Sequence, residues 1–418
     1  MAVDFYRVSG VVLIVLGHWL AACVTFTAGR FGRQNPLVDM PWTQWLTWPF
    51  QAVPLFFLVA GYASAVSWSR WREVGGLPRH TWLRHRLART LGPTTVYVAS
   101  MLAVVGVLLA VGAPAAVLEY AGWAVAMQLW FLSVYLVVVV LTPVAIAAHR
   151  RWGLAVPAML GVLVAAVDAA SIGAGVPYLG WLNYLLCWGA LYQLGIAWCA
   201  GLLSVRRALL MGTCSALVLA LLIKLAAYPV SMIGVPGEAI ENSSPPSLAM
   251  LAFALSQAAV AVALAPALNR ILRPDRVRRA LSVANDNVIT LYLWHMIPVV
   301  IVAIIGYPSG LLPQPAEGSA AWLLARLEWV AILSVVAAAQ MALLWWRRDF
   351  FAGPLPTFGV RLGRRWAELA MVAGAVMTAY ALGFFAARGF APDGRFPFVV
   401  ACVFAVGAVL VALRPRDA

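Results

Sequence analysis

Apolar runs of roughly membrane-crossing length alternate with short polar, arginine-bearing segments along nearly the whole chain. A helix needs about 20 apolar residues to cross a bilayer. On that criterion the runs predict spans at 5–26, 46–67, 91–112, 126–147, 153–170, 180–202, 208–230, 248–268, 285–306, 322–345, 367–387 and 397–413. The expected fold is all-α: a polytopic integral membrane helix bundle of twelve transmembrane helices. The longest stretches between spans are 27–45, 68–90, 231–247 and 346–366, so no soluble domain is expected. No repeat of fixed period is visible.

Composition makes the lipid solvent a requirement. Of 418 residues, 64% are hydrophobic and 11% charged. A soluble domain is nearer half apolar and a quarter charged. The net charge of +14 is not a nucleic-acid signature, because the basic residues cluster between apolar runs. With the N-terminus inside, twenty-three arginines fall on the cytoplasmic side and five outside; Lys224, within a span, completes the 29 basic residues. The excess places both termini in the cytoplasm of a cell-membrane protein. Nineteen tryptophans suit belts at the two interfaces. The five cysteines lie in or beside apolar runs without a CxxC pair, which argues against a metal site or a disulfide framework. The first run carries Arg7 and His18, so it reads as a retained helix and not as a cleavable leader.

Ionisable groups inside a membrane helix are expensive and mark functional paths. The first helix holds Asp4, Arg7 and His18. Eleven residues, about 16 Å along a helix, separate Arg7 from His18, and eleven steps return to the same face. Arg7 is expected near the cytoplasmic interface and His18 about halfway across. A mid-membrane imidazole suits proton transfer; a hydrogen bond to a neighbouring helix is the plainer alternative. Asp4 is either a substrate-side residue or the partner of Arg7 in an i,i+3 ion pair. The cytoplasmic segment before the third span carries Arg86 and Arg89, three apart on one face. Such a fork suits phosphate groups, or equally anionic lipid. Trp130 and Phe131 open the fourth span. The ninth opens Asn285-Asp286-Asn287 and reaches Tyr292 and His295, a second mid-membrane imidazole. Asn242 sits in a polar, turn-rich outer loop with Pro245 and Pro246.

Together these pieces resemble the acyltransferase 3 family of membrane acyltransferases. Asp4-x-x-Arg7, then ten residues and His18, is similar to its opening signature. Pro54-Leu-Phe56-Phe57-Leu-Val-Ala60-Gly61-Tyr62 resembles its second-helix run, with Ala60 where the family often has Ser. Arg86-x-x-Arg89 followed by Pro93, Trp130-Phe131-Leu132 and Tyr292-Leu-Trp-His295 resemble later landmarks. Asn242-Ser-Ser-Pro245-Pro246-Ser resembles an outer-loop motif of one branch. The resemblance covers residues 1–345, a ten-helix core, and leaves 346–418 as two additional helices.

The resemblance implies transfer of an acyl group, often acetyl, from acyl-CoA to a hydroxyl of a sugar, a glycan-lipid or a small natural product. Acyl-CoA is then a co-substrate, and no bound cofactor or metal is expected. His18 is the candidate general base. Arg7 is the candidate partner of donor phosphate or oxyanion. Arg86 and Arg89 are candidate acyl-CoA ligands, and Asp4, Trp130, Tyr292, His295 and Asn242 candidate substrate-pocket residues. Two other function classes fit the composition: a secondary transporter of an organic anion or sugar, and a glycosyl or phospho-sugar transferase acting on a lipid carrier. The latter usually requires an acidic metal-binding cluster, which the chain lacks.

Overall fold

The computed structural model describes residues 1–73, 79–361 and 363–415, with Arg79 described by its backbone alone. Residues 74–78 of the expected cytoplasmic loop and Arg416 at the C-terminal cationic end lie outside the described residues. In chain order the principal elements are α1 (Ala2–Ala21), β1 (Val24–Thr27), β2 (Arg30–Arg33), α2 (Val53–Glu73), α3 (Arg79–Ala110), α4 (Ala115–Ala124), α5 (Leu129–Val140), α6 (Thr142–Trp152) and α7 (Ala155–Asp168). They continue with α8 (Asn183–Cys199), α9 (Val205–Leu225), α10 (Leu248–Ile271), α11 (Asp275–Trp294), α12 (Ile297–Gly306), α13 (Ala320–Trp346), β3 (Phe358–Val360), α14 (Arg364–Arg388), α15 (Phe398–Ala412) and β4 (Leu413–Pro415).

The all-α expectation holds, and every expected span has a helical counterpart. Among the described residues, eight helical segments are long and apolar enough to cross a membrane, or up to ten if each of two bent pairs is one span. Two of the twelve expected spans, 180–202 and 397–413, are helices of 17 and 15 residues. The expected span 285–306 is not straight, since α11 and α12 meet at 48°; the expected span 126–147 is divided between α5 and α6, and α5 forms its own bent pair, at 45°, with α4 before it. α11 also begins ten residues earlier than expected, at Asp275. The first helix stops at Ala21, because Val24–Thr27 pairs antiparallel with Arg30–Arg33. The two connecting residues, Ala28 and Gly29, both have positive φ, as a two-residue I′ hairpin turn requires.

The chain divides into two compact units, each assembled from separate stretches. The first takes residues 1–17, 35–73 and 142–288. Its α2 and α8 approach until backbones touch. A Cβ on Gly61 would stand 1.9 Å from the Tyr192 carbonyl oxygen, and one on Gly195 2.0 Å from that of Leu58. Lipid supplies no hydrophobic drive between helices, so such glycine crossings maximise contact instead. The N-terminal part of α1 is tied to α10 by the Tyr6 hydroxyl, which donates to the Ala261 carbonyl at 2.6 Å, and by Ala2 N–H, which donates to Asn269 Oδ1 at 2.8 Å. The buried Asp168 carboxylate accepts from Asn183 Nδ2, the Tyr228 hydroxyl and the Leu248 N–H at the start of α10, joining three segments.

The second unit takes residues 18–34, 79–141, 289–361 and 363–415. It contains α14 and α15, which cross through Gly374 and Gly407; a Cβ on Gly374 would lie 2.5 Å from the Gly407 carbonyl oxygen. α14 is joined to α5 by the Ser133 hydroxyl, which donates to the Ala379 carbonyl at 2.7 Å. The α4–α5 pair and the break between α11 and α12 lie in this unit.

Replacing Gly195 by Val forces α2 and α8 apart and should lower stability by about 3 kcal/mol, at the upper end of overpacking effects. Gly189→Ala, whose new Cβ would meet its nearest neighbour at 3.8 Å, should be near neutral. Thermal unfolding of the two variants in detergent measures the difference.

Candidate active site

A break in a membrane helix strands backbone carbonyls that lipid cannot satisfy. Pro298, one residue into α12, has no N–H to donate to the Trp294 carbonyl, so α11 ends there. Four consecutive carbonyls at the break then accept from side chains. Tyr292 O takes His295 Nδ1 at 2.7 Å, Leu293 O takes Gln128 Nε2 at 3.1 Å, Trp294 O takes Gln340 Nε2 at 3.3 Å, and His295 O takes Trp19 Nε1 at 2.9 Å.

The other bent pair is capped reciprocally. Gln128 lies at the α4–α5 break, where its own carbonyl accepts from the Tyr292 hydroxyl at 2.5 Å. The Val125 carbonyl accepts from the Tyr97 hydroxyl and from Gln128 Nε2. Each break therefore supplies a donor to the other. Tyr97, Gln128, Tyr292 and His295 are all buried.

This capping dictates the state of the two imidazoles. A carbonyl only accepts, so His295 must carry its proton on Nδ1, which leaves Nε2 as a lone-pair acceptor. That nitrogen stands 2.8 Å from His18 Nδ1, with the two rings 17° from parallel. His18 Nδ1 is then the donor, and the lone pair of His18 lies on Nε2. The half-buried His18 makes no hydrogen bond through Nε2 among the described residues. The chain Tyr292 O, His295, His18 thus ends in an open basic nitrogen.

The other expected residues distribute as follows. Arg7, in the first unit, donates through Nη1 to Asn285 Oδ1 at 3.0 Å. Asp4 Oδ2 lies 3.3 Å from the Met1 amine. Asn242 is fully buried in the first unit: its Nδ2 donates to the Pro229 and Ser231 carbonyls and its Oδ1 accepts from the Ser247 hydroxyl, so the side chain braces its own loop. In the second unit the half-buried Trp130 meets Phe131 edge-on, and Phe131 meets Tyr292 edge-on at 5.5 Å. Arg86 is half-buried, its guanidinium 5.7 Å from the Trp82 ring centre, and Arg89 is exposed.

Sequence reasoning gives no role to Trp19, Gln128, Gln340 or Arg84. A glutamine inside an apolar run is itself a costly placement, so Gln128 and Gln340 carried a signal. Arg84 is buried, with no partner on Nε or Nη2, two residues before Arg86 on the same helix. The stretch beyond residue 346 reaches this helix as well: Leu355 N–H donates to the Ala88 carbonyl at 2.8 Å.

No curated protein and no solved structure matches the chain. The profile of the acyltransferase 3 family, described as an acyltransferase domain, matches residues 2–346 and so takes in His18, the arginines of α3, both bent pairs and Gln340. The chain belongs to this family of membrane acyltransferases.

Proposed function

We propose that the protein transfers an acyl group, acetyl in the simplest case, from acyl-CoA to a hydroxyl of a sugar, glycan-lipid or small natural product, with His18 as general base. The observation that carries this reading is the open Nε2 of His18 at the end of the relay from the Tyr292 carbonyl. An alcohol is a poor nucleophile until its proton is removed. His18 Nε2 takes the hydroxyl proton as the oxygen attacks the thioester carbonyl carbon. The tetrahedral oxyanion collapses, the C–S bond breaks, and the CoA thiolate leaves with the proton returned from His18. His295 holds the His18 ring in the tautomer that keeps Nε2 basic and spreads the charge of the imidazolium, the part an orienting third group plays in a nucleophile–base system. Its own donation to Tyr292 O prevents the reverse tautomer.

Arg86 and Arg89 are assigned to the phosphates of CoA. Arg7, three turns before His18 on α1, is assigned to donor phosphate or to the developing oxyanion. We read the protein as lying in the cell membrane with both termini in the cytoplasm. The short α8 and α15 complete twelve crossings, and residues 346–418 are an addition to an acyltransferase unit of 1–345. Asp4, Trp130, Tyr292 and Asn242 remain assigned to the surroundings of the substrate, Tyr292 through its cap on Gln128.

His18→Ala should lower acyl transfer by about 10³-fold, measured on purified protein with labelled acetyl-CoA; full retained activity removes the base assignment. His295→Leu should lower kcat by about 10²-fold with little change in the KM for acyl-CoA. His295→Gln, whose amide can donate to Tyr292 O while its carbonyl accepts from His18, should recover much of that loss; equal loss in both variants would leave His295 a packing residue. Reversing the charge at Arg86 and Arg89 should raise the KM for acyl-CoA about tenfold and leave the acceptor KM unchanged, as steady-state kinetics in each substrate would show.

A further inference from the structure

We infer that the cavity beyond the C-terminal end of α1, built around Arg326, is the acceptor site, and that it takes a hydroxyl-bearing ring carrying one anionic group, a carboxylate or a phosphate. The inference deepens the acyl-transfer reading above and rests on it for the word acceptor; the binding chemistry stands on its own.

The cavity lies wholly in the second unit and has a volume of about 170 Å³. A cavity of roughly 150 Å³ holds a benzene ring, so a six-membered ring fits. The walls are not those of a dry void. Arg326, on the second turn of α13, is buried and lines it between Trp322 and Trp329, with its guanidinium carbon 5.9 and 5.4 Å from their ring centres. Nη1 donates to the Ala22 carbonyl at 3.2 Å and to Cys23 Sγ at 3.1 Å. No carboxylate lies within ion-pairing distance of Arg326 among the described residues. Nor does Cys23 neutralise it: burial pushes the thiol up and outweighs the pull of the adjacent cation, so the sulfur keeps its proton at neutral pH.

A buried guanidinium with no carboxylate within ion-pairing distance is expensive, even though the Glu328 side chain shares the cavity wall and Glu317 acts electrostatically on Cys23. Two indole faces offset part of that, and an anion with its fork-shaped hydrogen bonds offsets far more. The same indoles offer flat apolar surface to the C–H face of a ring, while Gln34 and Glu328 line the cavity and supply polar partners for hydroxyls. Position links the cavity to the chemistry. Cys23 is five residues after His18. Trp329 on the cavity wall donates to the Trp19 carbonyl at 3.1 Å, and Trp19 caps the His295 carbonyl. A ring seated here has its anion on Arg326 and lies beside Cys23, in the segment that follows α1.

The test is equilibrium binding to the purified full chain in detergent, with D-glucuronate and D-glucose 1-phosphate as anionic probes and D-glucose as the neutral control. Both anions should bind saturably, and glucose about tenfold more weakly, the worth of one charge-assisted contact. Arg326→Met should remove that preference, and Ala325→Phe, which fills the cavity while keeping the guanidinium, should weaken both probes. Should Arg326→Met fail to fold, the Ala325→Phe measurement decides alone. Glucose binding as tightly as the anions, no saturable binding of either anion, or unchanged binding in the variants overturns the site. Thioester hydrolysis of acetyl-CoA by the unmodified protein without acceptor reports separately: its absence with the expected binding pattern counts against acyl transfer and leaves the anion site standing.

Discussion

Four backbone carbonyls stranded at a helix break in a lipid-bathed protein are the constraint from which the centre of the second unit follows. Water cannot reach such groups in the hydrocarbon, and each one left unpaired costs several kcal/mol. The protein meets the demand with an indole from α1, an amide from α13, the Gln128 amide at the other break and the imidazole of the break itself. Each of those donors is held by the carbonyl it satisfies, so the break organises its surroundings.

One consequence is chemical. Because His295 must donate through Nδ1, its other nitrogen can only accept, and His18 is driven to present a lone pair on Nε2. A carboxylate would orient a base equally well, but a buried charge needs a counter-ion. A carbonyl and a neutral imidazole achieve the same polarisation with no net charge. The reciprocal bonds between Gln128 and the α11–α12 break, and between Tyr292 and the α4–α5 break, keep the two bent pairs in register. A hydrogen-bond network of this kind is satisfied as a whole or fails as a whole.

Much of the architecture was legible in the chain because bilayer thickness imposes a length on every apolar run. Each expected span has a helix, and the landmarks His18, Tyr292 and His295 meet in one unit. The misread features share one cause. The bend at His295 and the early end of α1 at Ala21, where β1 takes over Val24–Thr27, arise from local backbone geometry inside runs whose hydropathy alone reads as continuous helix. Pro298 was a visible breaker, yet the same residue type lies inside α3 and α10 without ending them. Asn242 lies in the polar loop where the sequence put it, and its amide braces that loop.

The sequence by itself determined that the protein is a membrane helix bundle, which residues are too polar to face lipid, and which of them share a helix face. Those properties follow from composition and helical period, which need no knowledge of neighbours. Only the tertiary structure decided that His18 is paired with His295, which nitrogen of each carries the proton, and that Arg326 sits between two indoles with no carboxylate within ion-pairing distance among the described residues. Tautomer and ion pairing depend on which atom lies within about 3 Å, and contacts between positions hundreds of residues apart are set by packing, not by spacing along the chain.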